Sequence, residues 1–417
     1  MTNRKHIKGF SRKADLSGKR LFIVGAGIFQ VPAIMKAREM GIITITADKD
    51  TDAPGFRYAD HSEVVSTHDA DALLLVARKY KIDGIMTLST EVAVVPTAYV
   101  AEKLRLPGLS PDVARTATNK FLMKKVFADH RIPIAAFRLA KSPADIKTIC
   151  SDLAFPLMVK PSSSYASKGI FKVHNRKELS AVLPLAQKES QDGTVIVEEF
   201  LQGLEVGGES FSLQGKTDMI YITNKKITRP PRYIPLGHTV PSVLPADIQA
   251  KIKEVVQRGV AALSIHEGPV NFDIMVTESG PKILEMGARL GGNCLPSMIT
   301  IHSGIDTIRA TIELALGLKP CLEKKQAIPA GVRILTSETT GVIRNITGIE
   351  ELKNKRDIVD LQVLYGSGDR VRKIESGADK LGYVIVTGRT VEDVTRKLDR
   401  YSKKIKISFS TAPYKGG

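Results

Sequence analysis

Residues 270–292 constrain the fold more than any other stretch, because two short apolar runs flank a polar break at residues 277–281 that contains Gly-Pro. This pattern is typical of a β-hairpin. Each run carries one acid, Asp273 in the first and Glu285 in the second. If the strands pair antiparallel, the two carboxylates can face each other, and such a pair suits a Mg²⁺ ion that also binds substrate phosphates. The alternative is an ordinary hairpin whose acids face solvent.

A fixed cation and two glycines follow the second acid directly. Arg289 supplies a permanent positive charge, and the Gly291-Gly292 pair permits close approach of the backbone. Together with the acids, these residues predict a site for a charged ligand beside the hairpin.

The first globular segment begins near Arg20 and predicts a buried strand, a glycine turn, a helix and a second strand that ends at Asp48. This βαβ order predicts a parallel sheet. One interpretation is a dinucleotide site with Asp48 on the ribose. However, Gln30 stands where the third glycine of the turn Gly25–Gln30 is expected, so we favour a Rossmann-like half that serves as a scaffold.

Composition and length exclude several classes of protein. The chain has 417 residues, which predicts more than one domain. It contains no run of 18 or more apolar residues, and its basic start lacks the apolar region of a signal peptide, so we expect neither a membrane span nor export. Its three cysteines, Cys150, Cys294 and Cys321, are far apart and lack metal-ligand spacing, which indicates a reducing cytoplasm.

The net charge of +17 is compatible with nucleic acid, a membrane surface or small anionic substrates. Seven of the basic residues lie within residues 1–20, and we expect residues 1–18 to form a flexible basic tail. The chain has no Trp and no basic stretch interleaved with aromatic residues. We therefore expect small-molecule partners rather than nucleic acid.

A lysine at a strand end and a hydroxyl-rich loop predict contacts with phosphates. Lys160 ends the apolar run that starts at Phe155, and the loop 162–169 follows it. That loop contains Ser162, Ser163 and Lys168, and it can close over phosphates with its backbone N–H groups, its hydroxyls and the lysine. The alternative is a flexible surface turn.

The run 194–201 predicts a strand that ends in acids and is followed by a glycine turn. Its end offers backbone donor and acceptor groups for an adenine edge, at Glu198, Glu199, Phe200 and Leu201. The carboxylate of Glu205, after the turn, can accept hydrogen bonds from ribose hydroxyls.

Further periodic segments predict helices. One spans Pro111 to Arg131 and carries Lys120, and another amphipathic helix spans Thr300 to Gly317. From Gly331 onward, short strands alternate with helices over 349–355 and 391–402, which predicts a small α+β module.

Taken in order, these motifs resemble the ATP-grasp superfamily of carboxylate–amine ligases. The resemblance is closest to the L-amino-acid ligase and carbamoyl-phosphate-synthase-like branch, through the segments 236–242 and 378–385. It implies an α/β chain with an ATP-grasp fold, an N-terminal Rossmann-like pre-ATP-grasp domain and a C-terminal α+β module. The expected parts are a tail at 1–18, the Rossmann-like domain at 19–112, the ATP-grasp domain at 113–318 with its lid at roughly 133–200, and the module at 319–417.

The resemblance also implies roles for individual residues, with ATP and Mg²⁺ (or Mn²⁺) as cofactors. The nucleotide phosphates are expected to be bound by Lys120, Lys160, Ser162 and Ser163, and the adenine pocket to be lined by Glu198, Glu199, Phe200 and Leu201. The ribose is expected to be held by Glu205 and the metal by Asp273 and Glu285. The residues expected to act in catalysis are Arg289 and Lys168.

The implied function is ADP-forming ligation of a carboxylate, an amino acid or a small acid, to an amine through an acyl phosphate, in a cytoplasmic homodimer. Two alternatives remain: a formate- or bicarbonate-activating enzyme of nucleotide biosynthesis, and a catalytically inactive nucleotide-binding protein. Gly287 replaces an Asn that many members have as a metal ligand, and Pro235 replaces an acid before Gly237-His238. The number of metals, the amine acceptor and the role of His238 are therefore left open.

Overall fold

A computed structural model describes residues 16–164, 168–230 and 232–410. The first part contains β1 (Arg20–Val24), α1 (Val31–Glu39), β2 (Ile43–Asp48), β3 (His61–Val64), α2 (Ala70–Tyr80), β4 (Gly84–Met86) and α3 (Val94–Leu104). The next part contains α4 (Pro111–Thr118), α5 (Lys120–Asp129), β5 (Phe137–Ala140), α6 (Ile146–Asp152), β6 (Leu157–Pro161), β7 (Phe171–Val173), α7 (Arg176–Lys188) and β8 (Val195–Glu199).

The second half begins with a long hairpin and ends in a mixed module. Its first elements are β9 (Leu204–Leu213), β10 (Lys216–Ile227), β11 (Pro235–Val240), α8 (Ala246–Ala262), β12 (Gly268–Thr277), β13 (Gly280–Gly287), α9 (Leu295–Ser303) and α10 (Thr307–Ala315). The module contains β14 (Ala330–Leu335), β15 (Gly341–Thr347), α11 (Ile349–Lys353), β16 (Ile358–Val363), β17 (Arg370–Val371), β18 (Gly382–Thr387), α12 (Val391–Lys404) and β19 (Lys406–Phe409).

The N-terminal part is a four-stranded parallel sheet in the order β3-β2-β1-β4, so the predicted βαβ order is confirmed. The side chain of Gln30 fills the glycine turn, and its Nε2 donates to the carbonyl of Leu88 at 2.6 Å. Asp48 accepts a hydrogen bond from the backbone of Ala26 at 3.0 Å. Both groups are thus used inside the turn, which favours the scaffold interpretation over a dinucleotide site.

The expected tail is shorter than the sequence indicated. Leu16 is buried in the same apolar cluster as Leu21, and Gly18 donates a backbone hydrogen bond to Gly41. Residues 16–18 therefore belong to the N-terminal part, because burial of Leu16 fixes them on its core. The rest of the predicted tail, residues 1–15, lies outside the described residues.

The expected lid contains a second sheet, which is antiparallel in the order β5-β8-β6-β7. Helices α6 and α7 cover one face of it, and Leu157, Leu179 and Val195 lie in their common apolar core. This sheet presents Lys160 and Glu198 on neighbouring strands, β6 and β8.

The third sheet has eight strands in the order β13-β12-β9-β10-β11-β14-β18-β16. It joins the hairpin strands to the C-terminal module without a break, because β11 pairs with β14. The predicted α+β character of the module is confirmed by its strands and by α11 and α12. The division at residues 318 and 319 stays a prediction, and the sheet continues across it.

Two predicted helices are each two helices in the structure. The helix expected over Pro111–Arg131 is interrupted at Asn119, whose backbone is extended and whose side chain accepts hydrogen bonds from the next helix. The helix expected over Thr300–Gly317 is interrupted at Gly304, which adopts φ +76°. Local capping explains both errors: a side-chain acceptor or a left-handed glycine ends a helix that apolar periodicity alone would continue.

Within the described ranges, no helix has the length and apolar character needed to cross a membrane.

The close contact of β9 with its neighbours gives a test of the central sheet. A Cβ atom at Gly208 would overlap the Phe272 ring and the Tyr221 carbonyl oxygen. We expect Gly208→Ala to lower the free energy of unfolding by about 1–3 kcal/mol or more, because the packed strands cannot absorb the methyl group. Urea unfolding measures this loss. Gly366→Ala is the control, since its nearest contact would be 3.9 Å away; an equal effect of both changes would contradict the proposed tight packing.

Candidate active site

The hairpin predicted within residues 270–292 is confirmed. β12 and β13 pair antiparallel with Asp273 directly opposite Glu285, and a β-bulge follows Asp273. The side chains of Asp273 and Glu285 remain 29% and 40% exposed. Each carboxylate nevertheless has a lysine partner, so the two acids line a charged cleft rather than face open solvent.

Lys225 neutralises two carboxylates at once. Its Nζ lies 2.6 Å from Oε1 of Glu205 and 2.7 Å from Oδ1 of Asp273, and only 3% of its side chain is exposed. Burial alone would lower the pKa of Lys225, but Asp273 and Glu205 outweigh it and hold that pKa above its ordinary value. For Asp273, burial has the opposite effect and raises the pKa, although the positive charge of Lys225 opposes this increase. The ammonium thus bridges the predicted ribose and metal ligands.

Lys120 pairs with the other hairpin acid. Asn119 caps helix α5 and so places Lys120 at the first helical residue, with its Nζ 3.0 Å from Oε1 of Glu285. Burial would lower the pKa of Lys120, but Glu285 raises it overall. Burial would raise the pKa of Glu285, but Lys120 holds it below its usual value. Both groups are therefore charged.

Glu198 is a buried anchor for two lysines. Its Oε2 lies 3.1 Å from Nζ of Lys160 and 3.3 Å from Nζ of Lys124, and 2% of the Glu198 side chain is exposed. Burial would raise the pKa of Glu198, but the two lysines lower it. Oε2 is thus used by the two lysines, whereas Oε1 is buried without a hydrogen-bond partner.

An ion pair explains why position 287 is a glycine. Arg289 donates to Oε2 of Glu91 from both Nε and Nη2, at 2.8 and 2.7 Å. A Cβ at Gly287 would lie 3.2 Å from that carboxylate oxygen and 3.4 Å from the guanidinium carbon of Arg289. The ion pair therefore occupies the space that a longer side chain at this position needs.

Glu209 is a buried acid with no cation bound to it among the described residues. It is fully buried, Oε1 accepts a hydrogen bond from the backbone N–H of Gly291, and Oε2 has no partner. Burial raises the pKa of Glu209 to about 8, although the Gly291 hydrogen bond and Arg289 oppose this. The side chain is therefore a neutral acid that holds the glycine loop next to Arg289 in place.

The residues of the loop after β6 that were predicted to contact phosphates have different surroundings. The hydroxyl of Ser162 is fully buried and lies 2.7 Å from Asp192 and 2.6 Å from Thr194. The hydroxyl therefore faces the protein, and its expected contact with phosphate stays a prediction. Ser163 Oγ is buried without a partner, and the backbone carbonyl of Lys168 accepts a long hydrogen bond from Ser164.

The predicted adenine and ribose residues lie where β8 ends and β9 begins. Glu199 accepts a hydrogen bond from the backbone of Ala136 at 3.2 Å. The ammonium of Lys172 lies 3.6 Å from the centroid of the Phe200 ring, a cation–π geometry. Leu201 is half-buried, and Glu205 follows on β9, tied to Lys225.

His238 lies beneath the cleft. It is 6% exposed, and its Nδ1 lies 2.9 Å from the hydroxyl of Thr223. Burial lowers the pKa of His238 to about 3, and Lys225 acts in the same direction. The imidazole is therefore neutral, and its hydrogen bond favours a structural role.

The described residues contain no group of three or more His, Cys, Asp or Glu side chains arranged to hold a metal. Asp273 and Glu285 offer two carboxylates, which fits a Mg²⁺ ion that takes its other ligands from phosphates and water.

Several residues of the cleft were missed from the sequence. Lys124 lies one helical turn after Lys120, and that spacing could have identified it. Lys225, Glu91 and Glu209 carry no local signal, because each finds its partner on a segment distant in sequence.

Two families match this chain. Residues 153–297 match the ATP-grasp domain, and residues 333–410 match the L-amino acid ligase C-terminal domain 2. The first range contains the two hairpin acids, Lys160 and Arg289, whereas Lys120 precedes it.

The relatives cover most of the chain. Formate-dependent phosphoribosylglycinamide formyltransferase from Sulfurisphaera tokodaii is 25% identical over 94% of this chain and 97% of its own length. Carnosine synthase 1 from Gallus gallus is 26% identical over 84% of this chain, which spans 41% of the synthase. The crystal structure of an L-amino acid ligase from Bacillus licheniformis has a TM-score of 0.82 at 22% identity, covering 95% of this chain and all of that one.

The raised pKa of Glu209 predicts a specific pH dependence of stability. The folded chain keeps this proton up to about pH 8, whereas the unfolded chain loses it near the ordinary pKa of 4.5. Stability therefore falls between these values as pH rises, by at most about 1.4 kcal/mol per pH unit. We expect Glu209→Gln to remove this part of the slope in urea unfolding. Glu254→Gln, at an exposed position, should keep the wild-type pH dependence of the free energy of unfolding. An unchanged pH dependence in Glu209→Gln would show that Glu209 is not a neutral acid in the folded chain.

Proposed function

Because this chain belongs to the ATP-grasp superfamily of ligases, we propose that it joins a carboxylate to an amine through an acyl phosphate and releases ADP and phosphate. The observation that supports this most is the cluster of charges in the cleft: Lys120 pairs with Glu285 and Lys225 pairs with Asp273. Lys160, which pairs with Glu198, lies within electrostatic range of Glu285. Three cations suit the polyphosphate of ATP, and two carboxylates suit its Mg²⁺.

The first step needs positioning and charge neutralisation. ATP with Mg²⁺ supplies an electrophilic γ-phosphate, which a carboxylate oxygen of the substrate attacks as the bond to ADP breaks. Lys120 and Lys160 bind the phosphates, and Arg289 steadies the transferred group. Glu198 and Glu91 orient these cations, because each accepts a close ion pair from one of them. Asp273 has to share its charge between Lys225 and the metal.

The second step is attack of an amine nitrogen on the acyl carbon, with loss of phosphate and a proton. Pro235 stands where the related branch often has an acid, and the neighbouring His238 is neutral. The acceptor is therefore recognised without a carboxylate at that position, which favours an amine other than the usual amino-acid acceptor.

A second candidate is a formate- or bicarbonate-activating enzyme of nucleotide biosynthesis. It is favoured by the relative from Sulfurisphaera tokodaii, which spans almost the whole chain. The size of the acid separates the two functions, since a one-carbon acid needs far less space than an amino acid.

We also propose the domain boundaries predicted from the sequence, and we propose that the chain forms a homodimer. Light scattering coupled to gel filtration measures the oligomeric state directly.

An ADP-release screen tests the proposed function. We expect ADP to form only with a carboxylate and Mg²⁺ present, and hydroxylamine to trap the acyl phosphate as a hydroxamate. The panel pairs amino acids with formate, bicarbonate and larger acids. A hydroxamate from larger acids supports the ligase, and turnover with formate or bicarbonate alone supports the second candidate. Tight ATP binding without turnover across the panel would contradict both.

The hairpin acid gives a sharper test. Glu285→Gln keeps the size of the side chain but removes one charge from the proposed metal site. We expect turnover to fall by orders of magnitude, because metal polarisation of the phosphate contributes several kcal/mol. Calorimetry should show ADP still bound without metal and a weaker gain on adding Mg²⁺. Glu278→Gln, in the exposed turn of the same hairpin, is the matched control; wild-type turnover and Mg²⁺ response in Glu285→Gln would remove Glu285 from the site.

A further inference from the structure

A cavity of about 400 Å³ opens between the turn of the β9–β10 hairpin, helix α8 and the segment that follows α10. Its walls carry apolar and aromatic side chains, which come from Phe211, Leu213, Met219, Ile220, Tyr221, Ile305 and Leu322. Met219 precedes Lys225 by six residues on β10, which is about 20 Å along a strand. The cavity is therefore separate from the cleft of Asp273 and Glu285, and its volume is typical of small-molecule sites.

Three lysines from three separate segments surround this cavity. Lys216 begins β10, Lys253 lies on α8, and Lys324 lies between α10 and β14. Within the described ranges, no carboxylate forms an ion pair with any of these three ammonium groups. Asp218 is the one acid among the described residues that line the cavity. The side chains therefore leave the cavity with an excess of two positive charges.

Hydrogen bonds hold the segments that carry these lysines in place. Gln257 on α8 donates from Nε2 to the carbonyl of Thr217 at 3.1 Å, which fixes this helix beside the start of β10. The backbone N–H of Lys325 donates to the carbonyl of Ser303 at 2.8 Å, which fixes the segment after α10 against the end of α9. Because the backbone is already ordered, a ligand has to order only the lysine side chains.

The charge of Lys324 reaches the aromatic end of the cavity. There the imidazole of His302 packs edge-on against the Tyr221 ring, with centroids 5.7 Å apart. Burial lowers the pKa of His302, the Ile328 carbonyl opposes this change, and the positive charge of Lys324 lowers that pKa further. The imidazole is therefore neutral at neutral pH, and the cation beside this aromatic wall is Lys324.

The excess of positive charge indicates what kind of ligand the cavity suits. Lysines grouped around one cavity repel each other, and exposure to water and salt weakens this repulsion. A ligand with negative charge replaces the repulsion by attraction. Ammonium groups bind phosphate as point charges, and a phosphate monoester carries about −1.5 to −2 charges at pH 7. That charge matches the excess over Asp218, and the apolar wall suits a carbon skeleton attached to the phosphate.

We propose that this cavity is a second ligand site, which takes a small phosphate monoester with an apolar or aromatic body. Lys216, Lys253 and Lys324 supply the positive charge for the phosphate. The body packs on the half-buried side chains of Tyr221 and Leu322. This site goes beyond the proposed ligation and is tested separately, because it shares no residue with the cleft.

Calorimetry on the full chain tests the site with ADP and Mg²⁺ present, so that the cleft is occupied. It compares phenyl phosphate with phenol and with inorganic phosphate. We expect phenyl phosphate to bind about tenfold or more tightly than either fragment, a difference of about 1.4 kcal/mol, because it uses the lysines and the apolar wall together. Equal affinity for phenyl phosphate and inorganic phosphate would overturn the proposal. So would binding that ADP abolishes, since the probe would then occupy the cleft.

Variants assign the binding to the cavity. Lys253→Met and Lys324→Met, at exposed positions, should each weaken phenyl phosphate binding by about fivefold and leave the affinity for ADP unchanged. Lys251→Met, at an exposed position of the same helix as Lys253, is the matched control and should bind phenyl phosphate as the wild type does. An equal loss in all three variants would show general attraction to a chain of net charge +17 and refute the site. Wild-type binding in both cavity variants would refute it as well.

Discussion

The cleft depends on the pairing of buried charges. Lysines withdrawn from water are tolerated only beside carboxylates, and here one acid often serves two cations or one cation serves two acids. Glu198 forms ion pairs with Lys124 and Lys160, and Lys225 forms ion pairs with Glu205 and Asp273. Neighbouring strands hold these groups at fixed separations. The sheets therefore matter to the site chiefly because they keep the charged groups from moving to other partners.

This pairing leaves the cleft ready for a polyanion. Each ammonium is already oriented by an acid. In the proposed function, a nucleotide would replace or share these partners rather than order free side chains, which lowers the entropic cost of binding. The neutral Glu209 also contributes to this preorganisation, because it fixes the backbone of Gly291 without adding negative charge next to Arg289. Preorganised dipoles and cations of this kind are what phosphoryl transfer requires.

Local patterns predicted the parts of the fold that are determined locally. The hairpin carrying Asp273 and Glu285 was predicted because strand alternation and a Gly-Pro turn are visible within a short window. The interruption at Asn119 was missed because one capping side chain overrides an apolar period. Lys225 and Glu91 were missed because their partners come from strands and loops far along the chain. Pairing across such distances leaves no trace in the spacing of residues.

The continuity of the eight-stranded sheet also determines how this chain emerges from the ribosome. Strand β11 has no partner on one side until residues 330–335 have been synthesised, and β14 in turn waits for β18. Until then the nascent sheet presents an open edge, a template for pairing with other chains. The apolar cluster that contains Val240 is also incomplete without Val332. Late synthesis of its partner therefore leaves β11 as an edge at which an unfinished chain can pair with another chain.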